Sequence, residues 1–365
     1  MTRICSWLCI VPLALTLAAC APAVEPEAEA PAPVEPEAEA PAPVEPEAEA
    51  PAPAEPEGPA RSIVNITGDL YRAQNNQHFT VFLVTEEGII MSDPINRDFA
   101  TWLRGEMEER FDQPVRYVLY SHSDFDHASG GEVFADTAEF VGHENMLDAL
   151  AEPSDMALPA NAAELDANGN GEIEQAEATG NFENNFALFD ANEDGMLSGG
   201  EIARGPVSDV YAPTDTYSDR RTIELGGKSV EMIHPGPAHS ANMSVLYFPE
   251  ESAAFVVDFI SLKRLPFQTM DGYDHDVWTG EIRDVEALGA EFVIPGHGDV
   301  GTTADVAEHR QYLEDLHDAV AEGIAAGSSL EELQASVTMD AYSDWGNFEQ
   351  WLPLNVEGMY NFLTQ

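Results

Sequence analysis

LYSHSDFDHASGGEVF (residues 119–134) gathers two histidines and two aspartates, His122, Asp124, Asp126 and His127, into six consecutive positions. Buried without partners, each charge would cost several kcal/mol or more of lost hydration, so the stretch demands opposite charges or a metal ion. The apolar run VRYVLY leads into it and ASGG follows, which places these side chains on a strand-to-helix loop. Open α/β sheets carry their sites there, at the carboxyl ends of strands.

Outward from that loop, strands and helices alternate. HFTVFLV and GIIMSD read as strands, and residues 97–111 carry a helical pattern. RTIELGGKSVEMI predicts a hairpin around Gly226 and Gly227, and SVLYFPEESAAFVVDF a second around Pro249, Glu250 and Glu251. Beyond them come a helix near residues 274–288, a short strand in EFVIPGHG and a helical C-terminal region from about residue 304. Three of these strand ends carry isolated ligand-type residues: His239 in HPGPAHSAN, Asp258 in FVVDF and His297 in IPGHGD.

HSDFDHASGG, GPAHS, VVD and PGHG, in this order and between plausible strands, resemble the metallo-β-lactamase-fold hydrolases. In that family His-x-His-x-Asp-His precedes a separate His, an Asp and a final Gly-His-Gly. The resemblance covers about residues 62–151 and 211–365 and implies an α/β fold, a four-layer αββα sandwich. It assigns His122, Asp124 and His239 to one divalent transition metal. Asp126, His127 and His297 fall to a second, and Asp258 bridges the two. It further implies a hydroxide nucleophile, with Asp126 orienting the water and moving its proton.

Asp124 departs from the pattern, because most members have histidine there. A carboxylate hardens the site, so zinc is joined by iron or manganese as an expected occupant. Asp124 turned outward, with a weak first site, is the alternative. His143 and His234 read as packed, hydrogen-bonded residues, and His78, His275, His309 and His317 as surface or local structural ones.

Between residues 152 and 210 the likeness stops. DANGNGEIEQAE (residues 166–177) and DANEDGMLSGGE (residues 190–201) both match D-x-[DN]-x-[DN]-G-x5-E, the calcium loop of an EF-hand. In the first, Asp166, Asn168, Asn170 and Glu177 offer side-chain oxygens and Glu172 a carbonyl; in the second, Asp190, Asn192, Asp194 and Glu201 do so, with the Met196 carbonyl. Ile173 and Leu197, at position eight, are suited to pair the loops, while Phe182, Phe186 and Phe189 recur at helical spacing between them.

The opening residues 1–20 form a short apolar run ending Leu17-Ala18-Ala19-Cys20, which resembles a bacterial lipobox and predicts a lipid anchor on Cys20. Residues 21–60 repeat PAPVEPEAEA, an extended linker at ~3.1 Å per residue. With Cys5 and Cys9 in the leader, the expected mature chain keeps one cysteine and no internal disulfide. The formal net charge is −52, and 44 acids face 15 basic residues even outside residues 21–57 and 152–201. Such a surface argues against nucleic acid as a partner.

The expected protein is therefore a hydrolase of the cell envelope, anchored to a membrane by lipid. It acts on a small-molecule substrate: an ester, a lactone or an amide-like compound such as a β-lactam. Two other readings stay open, a diiron redox protein and a calcium-dependent binding module with a degenerate site.

Overall fold

The computed structural model describes residues 58–151, 156–270 and 273–365. The leader with Cys20 and residues 21–57 of the linker lie outside them. Among the described residues no helix is long and apolar enough to cross a membrane.

An antiparallel run begins the first sheet: β1 (Arg61–Thr67), β2 (Leu70–Asn75), β3 (His78–Thr85) and β4 (Gly88–Met91). Helix α1 (Arg97–Phe111) then crosses to β5 (Val115–Leu119), which pairs parallel with β4. After the short helix α2 (Phe125–Ala128) comes β6 (Glu139–His143), parallel to β5, and then α3 (Asn145–Leu150). The insertion holds α4 (Ala160–Ala163), β7 (Ile173–Glu174), α5 (Asn181–Asn184), α6 (Phe186–Phe189), β8 (Met196–Leu197) and α7 (Gly199–Arg204). The chain returns as β9 (Asp215–Tyr217), which closes the seven-stranded sheet beside β6.

Both expected hairpins form in the second sheet, from β10 (Arg220–Leu225) and β11 (Lys228–Ile233), then β12 (Val245–Phe248) and β13 (Ala253–Val256). Helix α8 (His275–Ala287) leads to β14 (Phe292–Pro295), parallel to β13, and α9 (Thr303–Ala325), α10 (Leu330–Ser336) and α11 (Phe348–Thr364) follow.

Strand alternation explains the layers. Val81, Leu83 and Ile90 join Val230, Met232, Leu246 and Phe255 in the core between the sheets. Phe82, Ile89 and Met91, one residue out of phase, pack instead on Phe99, Leu103 and Met107 of α1. Trp278, Ile282, Leu313 and Leu316 of α8 and α9 cover the second sheet's other face. Helices outside two apposed sheets make the αββα sandwich that the resemblance implies.

One turn fixes the ligand loop. Gly130 takes φ of 87°, and a Cβ there would stand 2.4 Å from the carbonyl carbon of Asn96, so the loop after α2 lies against the N-cap of α1. Gly130→Ala therefore meets both a left-handed backbone and a backbone clash. It should lower stability by about 2 kcal/mol or more in denaturant unfolding.

Candidate metal centre

All seven sequence-derived candidates converge at one edge of the sandwich. His122, Asp124, Asp126 and His127 follow β5, the last two within α2; His239 lies between β11 and β12; Asp258 follows β13 and His297 follows β14. Asp258 adopts φ of 63°, a left-handed conformation that Asp tolerates better than most residues and that turns the chain sharply off its strand.

Two ligand groups result. His122 Nε2 stands 3.3 Å from Asp124 Oδ2 and 3.2 Å from Asp258 Oδ2. His239 Nε2 lies 3.3 and 3.5 Å from the same two oxygens. In the second group His127 Nε2 is 3.5 Å from Asp258 Oδ2, His297 Nε2 is 3.2 Å from Asp258 Oδ1, and Asp126 Oδ2 is 3.4 Å from His297 Nε2. Asp258 thus faces both groups, one oxygen toward His122, His239 and His127 and the other toward His297. Asp124 turns inward to its histidines, although 46% of its side chain stays exposed at the mouth.

The far side of each ring shows that the donor set fits metal. His127 Nδ1 donates to Asp93 Oδ2 at 3.1 Å, and His297 Nδ1 donates to the Gln77 carbonyl at 3.2 Å. With those protons on Nδ1, the two rings in their neutral form turn Nε2 lone pairs toward each other at 3.3 Å. Such a pair repels unless a proton or a metal ion lies between. Neighbouring ligands on a tetrahedral zinc with 2.0–2.1 Å bonds stand about 3.4 Å apart. Ser121 Oγ gives its proton to Asp93 at 2.6 Å and accepts from His122 Nδ1 at 3.0 Å. His122 Nε2 is then buried with no well-formed hydrogen bond of its own.

Electrostatics agree. Burial opposes charge on His122 and His297, yet the carboxylates beside them raise His122 well above its ordinary pKa and His297 to about 9. Burial likewise opposes charge on Asp258, and the surrounding imidazoles hold it far below the usual carboxylate range. A field that draws protons this strongly also draws cations, which displace those protons on binding.

The sequence reading missed four supports of the centre. His78 Nε2 lies 3.2 Å from Asp126 Oδ2, so His78, expected to be a surface or local structural residue, stands at the site. Asp93, fully buried, orients His127 and also accepts from Ser121 N at 2.8 Å. Tyr273 Oη pairs with His239 Nδ1 at 2.6 Å. Glu281 accepts from Ala238 N at 2.9 Å beneath the His239 loop, and burial raises its pKa to about 7. Asp93 carried a readable signal, an acid at a strand end in GIIMSDP; His78 opens its strand and carried none. His143 and His234, as expected, stack on each other with centroids 4.1 Å apart and hydrogen-bond the Ser218 and Met243 carbonyls, and His309 is fully buried in α9.

In the insertion, the acid at position one of each loop and the glutamate at position twelve close a ring. Asp166 accepts from the amides of Gly169, Asn170 and Gly171, and Asp190 from those of Asp194 and Gly195. Glu177 reaches back to Ala167 N and Asn168 N, as Glu201 does to Ala191 N and Asn192 N. Asn168 and Asn170 donate to Glu174, while Glu172 N and Met196 N are held by Asn170 and Asp194. Ile173 pairs with Leu197, and Phe186 and Phe189 fill the small core beneath. The helix expected between the loops is broken at Asn185, whose φ of −119° separates α5 from α6.

The insertion's exit limb docks on the ligand loop. Gly130 N donates to Ser208 O and Glu132 N to Asp209 O, both at 3.0 Å, and Arg97 bridges Glu132 and Asp209.

Residues 98–297 match the model of the metallo-beta-lactamase superfamily. The chain belongs to that superfamily. It is 22% identical over 271 residues to the linear primary-alkylsulfatase of Pseudomonas sp., covering 69% of this chain and 48% of that protein. It is 21% identical over 297 residues to the 2,4-dinitroanisole O-demethylase subunit alpha of Nocardioides sp., covering 80% of this chain and 71% of that one. Among solved structures it resembles the inverting sec-alkylsulfatase Pisa1 of Pseudomonas sp., with a TM-score of 0.56 and 14% identity over 82% of this chain and 50% of that one. The superfamily chain described here thus spans about half the length of these alkylsulfatases.

Because Asp93 steadies His127 directly and His122 through Ser121, Asp93→Asn should weaken transition-metal binding by about 10–100-fold. Competition against a chelating dye measures this, with the thermal melt of the metal-free variant reporting that the fold survives.

Proposed function

We propose that this superfamily member is a hydrolase that uses water at a binuclear divalent-metal site to cleave a small ester, lactone or amide-like substrate, β-lactams included. The facing Nε2 atoms of His127 and His297, whose Nδ1 atoms are each tied to an acceptor on the far side of the ring, support this most directly. Zinc suits the mixed imidazole and carboxylate set, and the carboxylate of Asp124 leaves iron or manganese as alternatives. When bound, such ions act as Lewis acids and bring the pKa of water from 15.7 toward ~7.

The chain's own residues divide the remaining work. Asp258 holds both ligand groups in register. Asp126, within reach of His127, His297 and His78, orients the attacking water and takes up its proton. Asp93, Ser121 and Tyr273 keep the rings aimed, which spares reorganisation during the reaction. Phe125, between the two ligand aspartates, is 47% exposed and offers an apolar flank to a substrate at the mouth.

Within the ester class, sulfate esters come first for testing, since two of the similar proteins are named alkylsulfatases. A panel of alkyl sulfates, lactones, carboxylic esters, aryl ethers and β-lactams on metal-replete protein should show turnover of at least one. Asp126→Asn should reduce that rate by about 10²–10⁴-fold. Protein loaded with two metals that turns over none of these favours the binding-module reading. The inward Asp124 carboxylate favours the diiron redox reading, which a charge-transfer band in the visible spectrum would reveal.

We also propose that calcium fills the two insertion loops and that Cys20 carries a lipid anchor in the cell envelope. The ring closure by Glu177 and Glu201 supports the first, and the lipobox-like leader the second. Calcium at a hundred times its Kd should stabilise the insertion by about 2.7 kcal/mol. Glu177→Gln and Glu201→Gln should each weaken one binding event in calorimetry. No binding in millimolar calcium rejects the assignment.

A further inference from the structure

We infer that His78 is an additional ligand of the second metal, joining Asp126, His127, His297 and Asp258, an inference that rests on the binuclear reading above. Its position is built from the backbone. Phe79 N donates to Gly296 O at 2.9 Å and the Gln77 carbonyl accepts from His297 Nδ1, so the residues on either side of His78 are tied to the loop that carries His297. Arg72 adds a third tie, lying over the Phe79 ring at 3.4 Å while its guanidinium donates to the Gly298 carbonyl.

Held this way, the His78 ring meets that of His297 edge-on at 4.8 Å and presents Nε2 to Asp126 Oδ2 at 3.2 Å. That oxygen also lies 3.4 Å from His297 Nε2 and 3.7 Å from His127 Nε2. The donor atoms of His78, Asp126 and His297 all lie within 4.8 Å of one another. Ligands around a tetrahedral zinc sit about 3.4 Å apart, and spacings beyond that, up to about 4.2 Å across the ion, belong to five- or six-coordinate spheres. His78 thus occupies a ligand position on the open side of the second site, where its side chain is 33% exposed. Three imidazoles and two carboxylates around one ion exceed the tetrahedral set that zinc takes most readily. Removing His78 should therefore shift this site's preference toward zinc and away from manganese or iron.

The rival role is a hydrogen bond from His78 Nε2–H that only steadies Asp126. Cobalt titrations of the full chain separate the two. In His78→Ala the second site should bind cobalt about 10–100-fold more weakly, the first site should be unchanged, and the visible absorption of the second ion should intensify as coordination falls. His78→Gln, whose amide can still donate to Asp126, should behave like His78→Ala. Wild-type spectrum and affinity in His78→Gln would overturn the inference in favour of the hydrogen bond, as would unchanged binding in His78→Ala. The anomalous-difference structure of dicobalt wild type needs no variant. His78 Nε2 within about 2.3 Å of the second ion supports ligation, and a separation above about 3 Å overturns it. Elemental analysis finding no transition metal in the wild-type protein would sink the binuclear reading itself, a result distinct from two bound metals indifferent to His78.

Discussion

Seven electron-rich donors are held close together. His127 and His297 present their Nε2 atoms to each other 3.3 Å apart, and three aspartates surround them. Such an array repels itself, so it persists only where the scaffold fixes each member from behind and a cation compensates in front. Asp93, Ser121, Gln77 and Tyr273 supply the backing. Each hydrogen bond on the far side of a ring settles which nitrogen carries the proton and leaves the near nitrogen free to bind.

The sandwich exists to serve this arrangement from two directions. The first sheet delivers His122, Asp124, Asp126 and His127 beyond β5; the second delivers His239, Asp258 and His297 from the β11–β12 loop and the ends of β13 and β14. Neither sheet carries a complete ligand group. The buried interface of Val81, Leu83, Val230 and Phe255 therefore sets metal geometry as well as stability. A shift of the sheets by even an ångström would pull Asp258 from one of its two partners, because close-packed interiors transmit such displacements.

What the sequence disclosed follows from how local each signal was. The cluster from His122 to His127 was legible because its donors lie within a single loop. His239, Asp258 and His297 were legible at strand ends flanked by glycine or proline. His78 escaped because it begins its strand, and its role depends on His297, far along the chain. Tyr273 and Glu281 escaped because a tyrosine before a helix, or a glutamate within one, looks like ordinary surface until the His239 loop is folded beside it. The break at Asn185 was hidden as well, since the phenylalanine spacing alone favours a continuous helix.

Charge adds a constraint that neither the fold nor the motif states. With Asp124 where most members carry histidine, the centre holds three carboxylates. The two divalent ions proposed for it would leave a single net positive charge, one fewer than a neutral imidazole there would give. That charge must attract substrate at the mouth of a chain whose formal net charge is −52. An anionic substrate approaches against this long-range field and is rewarded only within a few ångströms of the ions. The repulsion is screened over about 8 Å at physiological ionic strength, whereas the close contact is not. Added salt should therefore speed capture of an anionic substrate and leave a neutral lactone or ester nearly unaffected. Ionic strength thus separates the charged from the neutral substrate classes among those proposed.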